Sequence, residues 1–404
     1  MSSAPDQLPF AHLRVLELAA VLAGPQVGQF FVELGAEVLK IESPTGDITR
    51  TWKTAAETET TLTTGPASVS AYFSASNWGK KSRVLDLTTA VGRATLHRLA
   101  ATADIVLASY KPGDAEKLGA DYAALAKENP RLIYGHLTGY GPDSARVGYD
   151  AVLQAETGFM HLNAAHSGQP PQKMPVAMVD LLAAHQLKEG LLTALLQREK
   201  TGCGALVQVD LFASALAALA NQAATFLVTG HDPEPLGSGH PSIVPYGTVY
   251  RAANGRHVVL AVGSDVQFEN LCAALDRASW SAEARFRTNT ARVVHRLELE
   301  GLLAERIAAV NGDELLAELA RRTVPAGAVR SVGEALAQPA AQPMLLPGHG
   351  TTRAGLRTVA FRSSQWPVVA GLSPPPQLEQ SANAEFGEAI PVAVPTDIAT
   401  PIVL

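Results

Sequence analysis

The first half of the chain alternates two periodicities, and that alternation restricts the fold more than any other feature. Residues 13–18 read as a strand, Gly24-Pro25 opens a helical stretch through Leu34, and Gly35 ends it before a second strand at residues 36–42. Residues 82–87 are a further strand, followed by a helical pattern over 90–102. Residues 104–108 and 131–137 repeat the strand pattern with a helix between them. Strands separated by helix-length segments pair in parallel, because the chain must cross over before it re-enters the sheet. The spacing predicts an α/β fold: a Rossmann-like large domain whose parallel sheet is covered by helices. Ligands in such folds sit at the carboxyl ends of the strands, so the loops after Leu18, Ile41, Ala108 and Leu137 are where a site is expected.

Asp180 is the most suggestive single residue. It stands alone between apolar neighbours in Met178-Val179-Asp180-Leu181-Leu182, at the start of a helical pattern through Leu181, Ala184, Leu187, Leu191, Leu192 and Leu195. Arg198, Lys200 and Gly202 supply the stop signals. Unpaired N–H groups at a helix start favour an ionised carboxylate, and apolar flanks keep bulk water from it. Such a carboxylate suits nucleophilic attack on an acyl carbon. Aspartate is also a preferred helix cap, and this window alone leaves both roles open.

A chain of 404 residues exceeds what one core usually serves. The Pro/Gly-rich stretch at residues 231–241 marks a boundary. A large domain is expected over residues 1–205, a linker helix over 206–230, a smaller α+β domain over 231–339, and an extended segment over 340–404. In the smaller domain, runs flanking Asn254-Gly255 predict a hairpin, and helical patterns follow over 266–275, 297–310 and 312–322. Charged residues make up only 17% of the chain, below the soluble average, which suggests surface hidden in an oligomer. The net charge of -6 argues against nucleic acid as a partner. Cys203 and Cys272 match no metal or redox spacing. No basic-then-apolar leader opens the chain, and the most membrane-like run, residues 211–228, contains Asn221 and Gln222. A cytoplasmic protein is expected, with no membrane partner and no metal.

Several motifs recur in a recognisable order. They are Arg14-Val15-Leu16-Glu17-Leu18, Ala23-Gly24-Pro25, Leu34-Gly35-Ala36-Glu37-Val38-Leu39-Lys40-Ile41-Glu42, and Pro44-Thr45-Gly46-Asp47 with Arg50. Asn77, Lys80, Ser82, Leu85, Asp86 and Leu87 follow, then Lys111-Pro112-Gly113, Leu118-Gly119 and Asn129-Pro130-Arg131-Leu132-Ile133-Tyr134. Next come Gly148-Tyr149-Asp150 with Gln154-Ala155 and Gly158, and Arg198-Glu199-Lys200-Thr201-Gly202 after Asp180. His240-Pro241, Pro245-Tyr246 and Val324-Pro325-Ala326-Gly327 complete the series. In this order they resemble the class III CoA-transferases, the family of formyl-CoA and carnitine-CoA transferases that also holds the α-methylacyl-CoA racemases. The likeness runs from about Leu13 to about Pro339 and implies an interlinked homodimer, with a large CoA-binding domain over residues 1–205 to which residues 340–404 return.

The resemblance assigns the nucleophile to Asp180 and implies a CoA-transferase acting through an aspartyl-acyl anhydride and an aspartyl-CoA thioester. Its partners are an acyl-CoA and a free carboxylic acid, with no cofactor beyond coenzyme A as substrate and product. It places CoA near Leu22 and Ala23 and on Lys80, supported by Lys81 and Arg83; charge patterning alone reads these three cations equally as a solvated face. Further CoA positions of the formyl-CoA branch fall on Ser109, Tyr110, Lys117 and Thr138, and its arginine after Ile-Glu falls on Ser43. Lysine for arginine at Lys117 keeps charge but loses the planar fork. Tyr140 and Trp52 match aromatics near the acyl group, though either is equally a packing residue.

Other chemistries are known on the same scaffold. The racemase branch uses histidine in the Gly-His-Asp position, where this chain has Tyr149, and a phenol titrating near pH ~10 is a poor base. A CoA-dependent lyase and a non-catalytic CoA-binding protein are the remaining alternatives.

Overall fold

The computed structural model of the protein describes residues 8–59, 69–348, 354–369, 371–378 and 384–387. The chain divides into two compact units. The first draws on Met1–Thr157, Val176–Ala220 and Pro343–Leu404, the second on Gly158–Pro175 and Asn221–Gln342.

Six strands form the sheet of the first unit: β1 (Arg14–Glu17), β2 (Glu37–Glu42), β3 (Lys81–Val84), β4 (Ile105–Ala108), β5 (Ile133–Thr138) and β6 (Ala205–Asp210). Their order is β3-β2-β1-β4-β5-β6, and every pairing is parallel. The chain winds outward from β1 to β3, then restarts on the other side of β1 at β4. That reversal opens a crevice between the ends of β1 and β4, the place where open α/β sheets bind ligands. Val15, Leu16, Ile105, Val106 and Leu107 are fully buried, as strands covered on both faces must be.

Helix α1 (Ala23–Glu33) returns the chain from β1 to β2. Helix α2 (Ala90–Ala100) joins β3 to β4 and is capped by Thr89, whose side chain accepts from Gly92 N. A short helix α3 (Asp150–Glu156) precedes the 24-residue helix α4 (Met178–Thr201). Helix α4 buries Ala183, Ala184, Leu187, Leu191 and Ala194, with Leu187 and Leu191 against β5. Each buried leucine contributes about 1.5–3 kcal/mol. A Cβ at Gly135 on β5 would meet Leu187 and Leu191 at 3.1 and 3.2 Å, so the bare glycine lets the helix sit close. Gly202, at φ 73, ends α4.

The sequence-based linker helix over 206–230 is corrected by β6. Val207 and Val209 alternate with Leu206 and Gln208 along an edge strand, and Leu206 pairs with Tyr134. Asp210 ends the strand and caps helix α5 (Leu211–Ala218), accepting from Ala213 N at 2.7 Å. The helical run breaks at Ala220, φ 46, before a separate helix Asn221–Thr229. Among the described residues no single helix is long and apolar enough to cross a membrane.

Described parts of the C-terminal segment run along the first unit. Glu33 at the end of α1 accepts from Thr358 N and Oγ1 and from Val359 N. Arg50 donates to Pro376 O, Gly79 N donates to Ser373 O, and Glu385 pairs with Arg83 and Arg98.

The second unit contains an antiparallel sheet of β7 (Tyr246–Arg251), β8 (His257–Ala261) and β9 (Ala326–Ala328). Gly255, at φ 78, forms the turn between β7 and β8. Helices Asp265–Ala274, Arg296–Ala308 and Gly312–Arg321 bury Phe268, Leu271, Leu299, Leu303, Ile307 and Leu319 with Val258 and Leu260. Residues 158–175 join this unit through Ser167 Oγ, which donates to Glu234 at 2.8 Å, and Gly237 N, which donates to Ala164 O.

Candidate active site

A cleft of about 230 Å³ opens in the first unit at the carboxyl ends of β1, β4 and β5. Its walls are Ala20–Ala23 after β1, Ser109–Pro112 after β4 and Leu137–Gly139 at the end of β5, with Ser144, Arg146–Tyr149 and Leu211. Asp180 also lines it.

Asp180 is 9% exposed and lies in the first turn of α4. The cap residue is Ala177, which offers no side-chain acceptor. Instead the buried carboxylate of Asp150 takes Val179 N at 2.8 Å and holds Gln154 Nε2 at 2.8 Å. Asp150 therefore satisfies the helix end from outside, and Asp180 stands inside the helix where the dipole favours negative charge. Burial, then the charges of Asp180, Asp150 and Asp47, push the Tyr72 phenol up to about 12. Tyr72 keeps its proton at neutral pH and packs edge-on against Trp52, ring centroids 5.1 Å apart.

Beneath the crevice lies a buried charge cluster. Lys40 Nζ is 3.0 Å from Glu17 Oε1 and 3.1 Å from Asp47 Oδ2. Lys80 Nζ reaches Glu17 Oε2 at 2.7 Å, Pro25 O at 2.8 Å and Asn77 Oδ1 at 3.0 Å. Burial lowers Lys80 to about 8 against the pull of Glu17, with Lys40 adding repulsion. Burial opposes the charge on Lys40 as well, but Glu17 and Asp47 outweigh it and raise its pKa. For Asp47, burial is outweighed by Lys40 and by the Thr49 hydrogen bonds, and its pKa is lowered.

Of the positions singled out by sequence, Asp180, Leu22, Ala23, Ser109, Tyr110 and Thr138 meet in the cleft. Burial pushes the Tyr110 phenol up to about 12, and Thr138 Oγ1 accepts from Gly141 N at 3.0 Å. The expected cationic contacts are set differently. Lys80 is 3% exposed and saturated by four oxygens, both of Glu17 with Pro25 O and Asn77 Oδ1, so in this chain it holds β1, α1 and the start of β3 together. Lys81 pairs with Glu37 at 2.5 Å, Arg83 with Glu385 at 2.9 Å, and Lys117 with Asp114 one helical turn away at 2.9 Å. None of these four lines the cleft. Tyr140 lies just beyond it, donating to Glu156 at 2.9 Å beneath the Arg146 guanidinium. Trp52 is 39% exposed and stacks only against Tyr72 among the described rings.

The cations that do line the cleft are Lys111 and Arg146. Lys111 belongs to a motif visible in the sequence; Arg146 gives no local signal, since only folding brings it over Tyr140. Tyr72 and Asp150 were likewise not singled out as site residues, although Asp150 lies within a recognised motif. Among the described residues, no group of three His, Cys, Asp or Glu is arranged to hold a metal ion.

The model of CoA-transferase family III matches residues 10–381. The chain belongs to this family. It is 36% identical over 382 residues to a succinate–glutarate CoA-transferase of Agrobacterium fabrum, covering 90% of this chain and 92% of the relative. It is 33% identical over 338 residues to a human succinyl-CoA:glutarate CoA-transferase, covering 82% of this chain and 74% of that one. A crystal structure of a CaiB/BaiF family protein from Brucella suis superposes with a TM-score of 0.80 at 37% identity, covering 93% of this chain and 98% of that one. The family III enzyme described here is thus a CoA-transferase, and its cleft lies where the doubly wound sheet reverses direction.

Proposed function

We propose that this CoA-transferase moves CoA from an acyl-CoA donor to a free carboxylic acid through covalent intermediates on Asp180. The observation that carries the reading is the placement of Asp180, buried in the first turn of α4 and facing the cleft. Its carboxylate oxygen attacks the thioester carbonyl, forming an aspartyl-acyl anhydride and releasing CoA thiolate. The thiolate attacks the aspartyl carbonyl, giving an aspartyl-CoA thioester and the donor's carboxylate. The acceptor carboxylate then attacks the thioester and expels CoA thiolate again. That thiolate takes the new acyl group from the second anhydride and regenerates Asp180. No proton is consumed, and the thioester energy is kept as long as water stays out.

Relatives named for succinyl-CoA and glutarate make dicarboxylic acids the first substrates to test. Lys111 supplies positive charge in the cleft for such acids or for CoA phosphates, and Arg146 lines the cleft while paired with Glu156 at 2.5 Å. Self-association is proposed as well, because α4, β6 and α5 of the first unit expose Leu196, Leu206 and Leu216. Two free cysteines fit a reducing, cytoplasmic location.

The deciding experiment incubates the protein with succinyl-CoA and other acyl-CoAs, followed by intact-mass analysis. A hydroxylamine-sensitive adduct on Asp180 is the expected result. Asp180→Ala should fold and lose about 10⁴-fold or more of the exchange rate; turnover equal to that of the unaltered enzyme would rule the mechanism out.

A further inference from the structure

The turn between β1 and α1 is held one residue at a time. Ala19 O accepts from Lys40 Nζ at 2.7 Å, Ala20 N donates to Ser109 Oγ at 3.1 Å, and Val21 N donates to Asp47 Oδ2 at 3.3 Å. Leu22 O then accepts from Gln26 N at 2.8 Å as the helix begins. Lys40 comes from β2, Asp47 from the loop after it, and Ser109 from the loop directly after β4. Val21 sits at φ 71, in the left-handed region that a β-branched side chain resists because its Cβ crowds the backbone. A valine is found there only where its surroundings over-determine the conformation.

Lys40 and Asp47 do not line the cleft, whereas all of Ala20–Ala23 does. Both side chains are almost fully buried and bonded to each other. Glu17 and Asp47 balance Lys40 and Lys80, two charges against two. Asp47 Oδ1 meanwhile takes Thr49 N and Thr49 Oγ1. A buried ionic cluster costs more to desolvate than apolar packing of the same volume. Here its unshared donors and acceptors end on the backbone of the turn.

We infer that Lys40 and Asp47 are positioning residues for the acyl-CoA: they hold the left-handed turn that makes one wall of the cleft. This rests on the cleft being the acyl-CoA site. Without Asp47's grip, Val21 relaxes toward negative φ and the peptides at Ala20 and Val21 rotate. Only the fraction of molecules with the turn formed then binds the donor. Asp180, on a different element, reacts normally once the donor is bound, so the defect falls on KM and spares kcat.

Asp47→Asn is the direct test. The asparagine oxygen can keep capping Thr49, but its amide then meets both Val21 N and Lys40 Nζ donor to donor. With succinyl-CoA as donor and glutarate as acceptor, a turn populated in one molecule in ten raises the KM for succinyl-CoA about tenfold while kcat stays within about threefold. Amide exchange at Val21 should accelerate. Val21→Gly in the same chain removes the conformational penalty and should bring KM back to within about threefold of the unaltered enzyme. An Asp47→Asn enzyme with unchanged KM, or one that loses kcat alone, overturns the inference. If Asp47→Asn folds poorly, recovery of folded protein and KM in the double variant supports it, and a double variant no better than the single overturns it. An unaltered protein that exchanges no CoA would instead count against the catalytic reading, so the two failures are separable.

Discussion

Gly139 and Gly148 cross in direct backbone contact in the cleft wall, and replacing one of them tests how tightly that wall is set. Both line the cleft, and neither has a left-handed φ, so the effect of a side chain is purely steric. A Cβ at Gly148 would lie 2.5 Å from Gly139 Cα and 3.2 Å from Leu153 Cδ2. Carbon atoms pack at about 3.5–4.0 Å, so Gly148→Ala must part the two backbones by about 1 Å. The leucine can turn aside; the backbone of Gly139, directly after β5, cannot. Overpacking of this kind costs about 1–3 kcal/mol of stability. A 1 Å displacement of the groups around a reacting centre costs about 10²-fold in kcat/KM. Thermal unfolding should register a loss of several degrees and the exchange assay a loss near two orders of magnitude. Leu153→Ala added to Gly148→Ala should not restore activity, because the leucine is not the obstruction. A Gly148→Ala enzyme with unaltered melting and kcat/KM within threefold would refute the steric reasoning.

Two further outcomes probe stability away from the cleft. Arg98 and Arg83 hold the Glu385 carboxyl down from 4.5 to about 2. A depressed carboxyl contributes stability above pH 4.5, and that contribution is lost as pH falls through about 2. Glu385→Gln should therefore melt below the unaltered protein at pH 7, with the gap constant down to about pH 5 and narrowing beneath it; a gap that widens in acid would contradict the assignment. Gly301 lies inside the helix Arg296–Ala308 and faces open space where an alanine Cβ would project. Gly301→Ala should stabilise the protein by about 0.5–1 kcal/mol, read as a higher melting temperature, and a lower one would show an unseen constraint at that position.

Local pattern was a good guide where local physics decides. Strand–helix alternation located β1 to β5, because buried parallel strands need continuous apolar runs and crossovers need helical length. Asp180 was legible for a similar reason: apolar flanks and the stop signals at Arg198, Lys200 and Gly202 place it at the start of a helix whatever surrounds it. Residues 206–210 read as part of a helix yet form a strand, since a half-exposed edge strand that runs straight into a capped helix blurs the change of period. Tyr72 escaped notice because nothing near it in sequence points to Asp180.

The chain's order of residues was enough to set the sheet, the family and the carboxylate on which the chemistry is proposed to turn. Tertiary structure alone decided what the cations do. Lys40 and Lys80 lie 23 and 63 residues from Glu17, and they meet it only because the strand order sets β2 beside β1 and β3 on the far side of β2, with Lys80 just before β3 reaching back to Glu17. Charge in a sequence carries no address; its partner is chosen by which strands become neighbours. For that reason Lys80, expected on a phosphate, is spent inside the fold, and Arg146 stands in the cleft instead.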